Sequence, residues 1–294
     1  MRWAEGFIAV DWGTTNRRAY LIGGDGRMTD EMEDGQGILA VAAGGFPAGV
    51  AQIRARLGDR PMLMAGMVGS NRGWIEARYA PCPAGAEELA ARLIWAEPGR
   101  VAIVPGVSWS QGDAADVMRG EELQVAGALA AGMMAADATV CHPGTHNKWI
   151  AVEAGRIAAF RTVMTGELFN LLREHSILAD LLDAPADADA AFEAGVRHGL
   201  ANDDLTAELF SIRARVLLGK ARREDAASYA SGLLIGSDVR IGLRGAAPGE
   251  VIVMGRPELT GLFSTALAIA GRGAREVDGE AAFLAGAKRL AELI

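Results

Sequence analysis

The sequence predicts a duplicated α/β fold in two domains. At 294 residues the chain is too long for one simple core and about right for two domains of ordinary size. Each half opens on three predicted strands joined by short turns, and a Gly-Thr pair lies in the first turn of each half. Helical and strand patterns then alternate. This layout predicts α/β domains at residues 1–136 and 137–294, with a cleft between them.

In the first half, strands Phe7–Val10, Arg18–Ile22 and Arg27–Glu33 form an antiparallel meander. The elements that follow are predicted as helix 46–57, strand 61–67, helix 86–96, strand 101–105 and a helix within 118–135. In the second half, three strands lie within "ATVCHPGTHNKWIAVEAGRIAAFRTVMTGEL", and helices run from 166 to about 241 around an acidic surface loop, 183–190. The strand "EVIVMG" and two helices close the chain.

Composition excludes several classes of protein. The formal charge is −8 and the chain has no lysine-arginine block, so neither nucleic acid nor an anionic membrane is an expected partner. The apolar run "LQVAGALAAGMMAA" is shorter than the roughly 20 residues that span a bilayer. Cys82 and Cys141 are too far apart for a CxxC zinc site and give no disulfide framework. We expect a cytoplasmic protein in a reducing compartment.

The first polar turn, "DWGTTN", carries more polar groups than a hairpin needs. Backbone N–H groups around Gly13 and the hydroxyls of Thr14 and Thr15 can cradle phosphate oxygens, with Asn16 beside them. Asp11, at the strand end, can hold a hydrated magnesium ion. The alternative is an ordinary hairpin turn in which Asp and Asn supply turn chemistry.

The second turn repeats this arrangement with Gly144, Thr145 and His146 between two strands. One such loop on each wall of a cleft would hold a polyphosphate from both sides. His142 and His146 lack a third ligand, so a hydrogen-bonding loop histidine is favoured over a metal site. Lys148 either meets a phosphate or is exposed.

Acidic residues lie around the predicted helix start at "RGEE". Glu121 could accept the proton of a sugar hydroxyl, and Asp113 is the reserve candidate. Capping of the helix N-terminus explains the same acids equally well. Arg119 could pair with the acid or with an anionic substrate.

Two further segments have weaker signals. Ser70, Asn71, Arg72 and Trp74 suit a polyol or sugar acid, but they also fit a plain loop after a strand. The strand-Gly255-helix junction can approach a purine or ribose, as any βα unit can. Neither a GxxxxGK[ST] P-loop nor a GxGxxG dinucleotide fingerprint occurs in the sequence.

The ordered set "VDWGTTN", "MAGMVGSNRGW", "VMRGEE", "PGTHNKW", "FRTVMTGEL" and "SGLLIG", with the Gly255 junction, resembles the 2-dehydro-3-deoxygalactonokinase family of the actin/hexokinase/Hsp70 superfamily. The resemblance implies two ribonuclease H-like domains, an actin-like ATPase fold, closing over ATP, Mg²⁺ and substrate. Asp11–Asn16 and Gly144–His146 would be the phosphate loops, and Gly255 with Arg256 the adenosine loop. The implied reaction transfers the γ-phosphoryl group of ATP to the 6-hydroxyl of 2-dehydro-3-deoxy-D-galactonate, in galactonate breakdown.

The resemblance also suggests roles for individual residues, and it shows positions at which this chain differs from related kinases. Glu121 takes the place where related sugar kinases put an aspartate as base. Arg18, Arg72 and Arg119 are candidates to meet the substrate carboxylate. Many superfamily members have a Gly-Gly pair in the adenosine loop, whereas this chain has Met254-Gly255-Arg256-Pro257.

Alternatives to this function are a kinase for another 2-keto-3-deoxy sugar acid or hexose, and a nucleotide-sensing module without turnover. The polar loop around Ser70 and Trp74 disfavours the sensing module, which needs no sugar pocket. A small-molecule substrate and a homodimer are the expected partners.

Overall fold

The computed structural model describes residues 3–294, so residues 1 and 2 of the predicted first domain lie outside the described part. The strands are β1 Gly6–Trp12, β2 Arg17–Gly23, β3 Met28–Asp34, β4 Met62–Ala65, β5 Ala80–Pro81, β6 Ile94–Glu97, β7 Val101–Ile103, β8 Val107–Gln111, β9 Ala114–Met118, β10 Ala138–His142, β11 Asn147–Glu153, β12 Arg156–Val163, β13 Val251–Gly255 and β14 Ala274–Asp278. The α-helices are α1 Phe46–Leu57, α2 Ala86–Ala90, α3 Glu121–Ala130, α4 Thr165–His175, α5 Ala190–Ala201, α6 Leu205–Leu217, α7 Ala226–Gly242, α8 Pro257–Ile269 and α9 Gly279–Leu293.

The two large sheets share one strand order. The first has the order β3-β2-β1-β4-β7-β6, and the second has β12-β11-β10-β13-β14. In the first, β4 is parallel to β1 and β7 is parallel to β4. In the second, β13 is parallel to both β10 and β14. The duplicated α/β layout predicted from the sequence is therefore confirmed.

The predicted helix 86–96 is wrong in its second half. The helix ends at Ala90, and Ile94–Glu97 forms edge strand β6, antiparallel to β7. Trp95 on this strand packs edge-on against Trp3, with ring centroids 6.0 Å apart. Pairing with the sheet overrides helix propensity here, because it lets Ile94 and Trp95 cover the edge of the core. The hairpin β8–β9 and the strand β14 had not been predicted.

The chain forms two compact units. The first comprises the chain up to Asp137 with Val152–Ala159 and Gly279–Ile294, and the second comprises Ala138–Ala151 and Phe160–Asp278. The predicted domains, 1–136 and 137–294, assign the last helix to the second domain, whereas packing assigns α9 to the first unit. There it lies close to α3, where a Cβ on Gly127 would come within 1.9 Å of the Ala282 carbonyl oxygen.

Each unit has its own apolar core. In the first unit, β1 and β4 pack on α1 through side chains such as Ile8, Met64 and Ile53. In the second, β10 and β13 pack on α5, α7 and α8 through side chains such as Phe192 and Val253. Among the described helices, none has the length and apolar composition needed to cross a bilayer.

Candidate active site

In the first unit, two predicted segments meet at the carboxyl edge of the sheet. Asp11 on β1 is level with Ala65 on β4, so the first polar turn and the loop after β4 leave the sheet side by side. A Cβ at Gly66 would lie 2.9 Å from the Trp12 carbonyl oxygen and 3.2 Å from Asp11 Oδ1. Gly66, with φ +91°, therefore keeps space beside the Asp11 carboxylate.

The first turn, residues 13–16, is held by backbone hydrogen bonds. The Gly13 N–H donates to the Asn16 carbonyl at 3.0 Å, and the Gly37 N–H donates to the Thr15 carbonyl at 3.0 Å. A Cβ at Gly37 would lie 2.4 Å from the Thr14 carbonyl oxygen, so only glycine fits behind the turn. The side chains of Thr14, Thr15 and Asn16 are exposed. The turn is fixed from behind and presents its polar side chains outward.

The two arginines after the turn have different surroundings. Arg17 is 1 % exposed, pairs with Asp34 at 2.6 Å and lies over the Trp12 ring, 4.9 Å from its centroid. Sequence reasoning had assigned Arg17 no role, and it anchors the turn. Arg18, a candidate for the substrate carboxylate, pairs with Glu33 at 3.0 Å and remains partly exposed.

Of the second segment, Ser70 and Trp74 are packed and Asn71 and Arg72 are exposed. Ser70 Oγ donates to the Met67 carbonyl at 2.8 Å and accepts the Arg72 N–H at 3.2 Å. The Trp74 ring stacks on Phe46 with 6° between planes and belongs to the core of the first unit. The loop is thus an ordered turn that begins next to Asp11 at Gly66 and exposes Asn71 and Arg72.

Arg119 lies against the same loop. A Cβ at Gly69 would come within 3.0 Å of its Nη1. Its Nη2 donates to the Ala77 carbonyl at 2.9 Å, and the guanidinium stacks over Tyr79, 4.5 Å from the ring centroid. Within the described residues, Nε and Nη1 have no hydrogen-bond partner although both are shielded from solvent. A buried guanidinium with two unused donors is suited to an anionic ligand or an ordered water. No sequence motif points to Tyr79.

The helix start after Gly120 holds two carboxyl groups in different environments. Glu121 is half-buried and accepts the Arg119 N–H at 3.1 Å. Glu122 is fully buried and accepts the Gly120 N–H at 2.7 Å. Burial raises the pKa of Glu122 from 4.5 to about 8, and the charge of Glu121 adds to the increase.

The two candidates for the base are far apart. Asp113 is exposed in the turn of hairpin β8–β9, whereas Glu121 follows the opposite end of that hairpin. At about 3.3 Å per residue the hairpin separates them by roughly 13 Å or more. A Cβ at Gly120 would lie 3.7 Å from Gly66 Cα, which puts the Glu121 end, not the Asp113 end, next to the Asp11 edge.

In the second unit, the loop 143–146 connects β10 to β11 and packs on the start of α4. The Glu167 N–H donates to the Thr145 carbonyl at 2.9 Å, and His146 Nε2 hydrogen-bonds to Glu167. A Cβ at Gly166 would come within 2.6 Å of the Gly144 carbonyl oxygen. Among residues 3–294 no cluster of three metal-ligating side chains occurs, and the hydrogen-bond partner of the His146 ring is Glu167.

Lys148 is not the exposed residue that one alternative described. It is 6 % exposed, on β11, and its Nζ donates to Thr162 Oγ1 at 2.8 Å. Gly255 ends β13 beside the loop, where a Cβ would lie 3.5 Å from the Pro143 carbonyl oxygen. Arg256 is the exposed N-cap residue of α8.

A buried carboxylate on α7 connects the segments around this loop. Asp238 accepts hydrogen bonds from Asn147 Nδ2 at 2.9 Å, from Trp149 Nε1 at 2.6 Å and from Thr165 Oγ1. Burial raises its pKa from 3.8 to about 6, although these hydrogen bonds lower it. Sequence reasoning missed Asp238. The available signal was a single aspartate in the otherwise uncharged helical segment "ASYASGLLIGSDV".

One cavity lies away from all these loops. It is lined by residues of α5, α6 and the start of α7, among them Ala194, Arg215, Lys220 and Tyr229. None of the residues predicted to bind nucleotide or substrate borders it. In each unit the candidate site is therefore located by its predicted loops rather than by this cavity.

Comparisons with known proteins agree with the fold and the motifs. The family model described as 2-keto-3-deoxy-galactonokinase matches residues 11–290. The 2-dehydro-3-deoxygalactonokinase of Escherichia coli (strain K12) is 35% identical over 292 residues, which cover 98% of each protein. A crystal structure of a candidate 2-dehydro-3-deoxygalactonokinase from Sinorhizobium meliloti has a TM-score of 0.91 and 35% identity, with 98% of each chain covered.

A more distant structure shares the fold alone. The activator of the 2-hydroxyisocaproyl-CoA dehydratase from Clostridium difficile, with bound ADPNP, has a TM-score of 0.52 at 10% identity and covers 98% of this chain and 95% of its own. Together with the strand order repeated in both sheets, this likeness defines the class: an actin-like ATPase fold of two ribonuclease H-like α/β units. Within that class, the chain belongs to the 2-keto-3-deoxy-galactonokinase family.

Proposed function

We propose that this chain transfers the γ-phosphoryl group of ATP to the 6-hydroxyl of 2-dehydro-3-deoxy-D-galactonate. The observation that carries the proposal is the arrangement at the carboxyl edge of the first sheet. Asp11, the loop after β4 and the Arg119–Glu121 segment lie side by side there, in a chain of the galactonokinase family. Phosphoryl transfer depends mainly on positioning and on neutralising charge, which such fixed polar groups supply.

In the first unit, Glu121 would accept the proton of the attacking 6-hydroxyl as the new O–P bond forms. The Arg119 N–H donates to its carboxylate and so orients it. Arg119 has two donors without partners among the described residues, and the carboxylate of a sugar acid is a group that would satisfy them. Ser70, Asn71, Arg72 and Trp74 would bind the polyol chain, with Arg18 at the rim. Asp113 remains a predicted reserve base.

In the second unit, Gly144, Thr145 and His146 would contact phosphate oxygens, and Gly255 and Arg256 the adenosine. Glycine at position 144 and at position 255 leaves the backbone approachable. Lys148, nearly buried behind this loop, would add positive charge rather than a direct contact. Gly13, Thr14, Thr15 and Asn16 of the first unit would donate to the transferred phosphate.

A magnesium ion is the expected companion of ATP. Gly66 carries no side chain that would press on Asp11 Oδ1, and one oxygen of this carboxylate would hold a hydrated cation. When bound, the ion would neutralise phosphate charge. The role of Asp11 is to hold and orient it.

A coupled assay of ADP release, over a panel of sugar acids and hexoses with ATP and Mg²⁺, tests this function. We expect turnover with 2-dehydro-3-deoxy-D-galactonate and little with gluconate or glucose. Turnover with glucose or gluconate alone would overturn the substrate assignment. ATP binding without any sugar-dependent turnover would favour a nucleotide-sensing module.

A homodimer and a cytoplasmic location remain predictions. Light scattering coupled to size-exclusion chromatography would measure the mass in solution, against the 30.7 kDa of one chain. A mass of a single chain would contradict the dimer.

A further inference from the structure

The carboxylate of Asp238 is an unusual group to find in the core of the second unit. It is 1 % exposed, and its three hydrogen-bond donors, Asn147, Trp149 and Thr165, are all neutral side chains. Among the described residues no cation contributes to its environment. Burying a carboxylate without a cation costs desolvation free energy, which its hydrogen bonds offset only in part. Its presence in the core therefore calls for an explanation.

The partners of Asp238 surround the loop 143–146 on two sides. Asn147 is the first residue after the loop, and Trp149 follows it on β11. Thr165 begins α4, and its neighbour Gly166 lies directly against Gly144. The Asp238 carboxylate thus links β11, which follows the loop, to α4, against which the loop packs.

The chemistry of the donors requires a carboxylate at this place. Asn147 Nδ2, Trp149 Nε1 and Thr165 Oγ1 all donate, and only an ionised carboxylate offers acceptors on both of its oxygens. An asparagine at 238 would turn one acceptor into an N–H donor that faces other donors. Loss of the hydrogen bond from Asn147 or from Thr165 would release one side of the loop 143–146.

We propose that Asp238 is a positioning residue for the loop 143–146, acting through Asn147 and Thr165 to fix where that loop presents its backbone to a nucleotide polyphosphate. The inference rests on the proposed role of this loop in phosphate binding. It deepens that role, because neither the sequence motifs nor the family assignment gives Asp238 a task. Asp238 itself touches no reacting atom in this scheme.

The test uses the variants Asp238→Asn, Thr165→Val and Thr165→Ser in the full chain. Thr165→Val removes the hydroxyl that Asp238 accepts from, at nearly constant volume, and Thr165→Ser keeps it. We expect the KM for ATP to rise about tenfold or more in Asp238→Asn and several-fold in Thr165→Val. The KM for the sugar acid should stay within about twofold, and Thr165→Ser should resemble wild type.

Ser237→Ala is the matched control, because Ser237 is buried on the same helix and its Oγ accepts from Arg240 rather than from the loop segments. A merely structural role would lower the active fraction, or change both KM values equally, in all variants including the control. That result would overturn the inference, as would an unchanged KM for ATP in Asp238→Asn.

Direct titration with ATP and with a non-hydrolysable ATP analogue, without sugar acid, separates this inference from the proposed function. If wild type binds nucleotide but turns over no sugar acid, the proposed substrate fails, and weaker binding by Asp238→Asn and Thr165→Val still supports the inference. Equal nucleotide affinity in all variants overturns it. If wild type binds no nucleotide, the loop is not a phosphate loop and both proposals are wrong.

Discussion

The two units anchor the same kind of turn by opposite means. Each turn has four residues, 13–16 and 143–146, and lies between the first two strands of its sheet. In each unit the first residue after the turn is buried and hydrogen-bonds to a carboxylate. In the first unit a buried cation, Arg17, reaches the partly exposed Asp34, and in the second a neutral amide, Asn147, reaches the buried anion Asp238.

This difference concerns where the charged side chains of each unit lie relative to its turn. In the first unit the anchor is an ion pair, and carboxylates lie near the turn itself, at Asp11 and Glu121. In the second unit the loop 143–146 has no carboxylate of its own, Glu167 at the start of α4 hydrogen-bonds to His146, and a further, buried carboxylate lies behind the loop on α7. A turn that holds a metal and a proton acceptor needs acidic groups at its surface, whereas a turn that contacts anionic phosphates is better without them. Under the proposed function, the first unit would supply the carboxylates that meet the metal ion and the proton.

The largest effect is expected at Asp11. Asp11→Asn should lower kcat on the order of 10³-fold, because an amide binds Mg²⁺ far less well than a carboxylate, while the melting temperature stays close to wild type. The coupled ADP assay and a thermal melt measure the two quantities. Asp25→Asn, in the next turn of the same sheet, is the control and should keep full activity. Near-normal turnover in Asp11→Asn would make Asp11 a turn residue and remove the contrast between the units.

Glu121→Gln should reduce kcat by about 10²-fold or more with little change in KM, since a general base acts in the transition state and not in binding. Steady-state kinetics with saturating ATP measures this. Asp113→Asn is made in parallel and should have little effect, because Asp113 lies at the far end of hairpin β8–β9. An unchanged kcat in Glu121→Gln together with a large loss in Asp113→Asn would reverse the assignment.

The buried anion of the second unit should make stability depend on pH. The pKa of Asp238 is about 6 in the folded protein, above its ordinary 3.8, so the folded state holds the proton more tightly than the unfolded state. Its contribution to stability is therefore present below pH 3.8 and is lost as the pH rises to about 6. Relative to Asp238→Asn, wild type should lose about 2 kcal/mol of unfolding free energy between pH 4 and pH 7.

Urea unfolding of both proteins across this pH range provides the measurement. Glu122, whose pKa of about 8 is also raised, affects both proteins alike, so the difference between them isolates Asp238. A difference that stays constant with pH would mean that Asp238 ionises as it does in the unfolded chain.

The smallest effect concerns the ion pair of the first unit. Arg17→Met should lower the unfolding free energy by about 2 kcal/mol, less than for a fully buried pair because the Asp34 side chain is 29% exposed. A double-mutant cycle with Asp34→Asn, measured by urea unfolding, should give a coupling energy of about 1 kcal/mol. Additive effects would mean that Arg17 is held by its packing on Trp12 rather than by Asp34.

The sequence predicted the layout and the polar turns well. The duplicated α/β order follows from patterns along the chain, since strand alternation, Gly-rich turns and helical spacing are local signals. The family assignment also follows from ordered motifs and is confirmed by the comparisons. The prediction of elements from sequence failed at Ile94–Glu97, where pairing with β7 outweighed helix propensity. The predicted domain bounds differ at α9, which joins the first unit by packing on α3.

What each charged residue does was decided by the tertiary structure. Arg17 and Arg18 are neighbours in sequence, yet one is buried on Trp12 and Asp34 and the other pairs with Glu33. Glu121 and Asp238 could not be ranked from sequence either, because burial and partners come from segments distant along the chain. The sequence by itself determined the fold, the family and the positions of the turns, since those depend on local pattern. Only the packed structure decided which carboxylates lie at the surface of each unit and which are buried inside it.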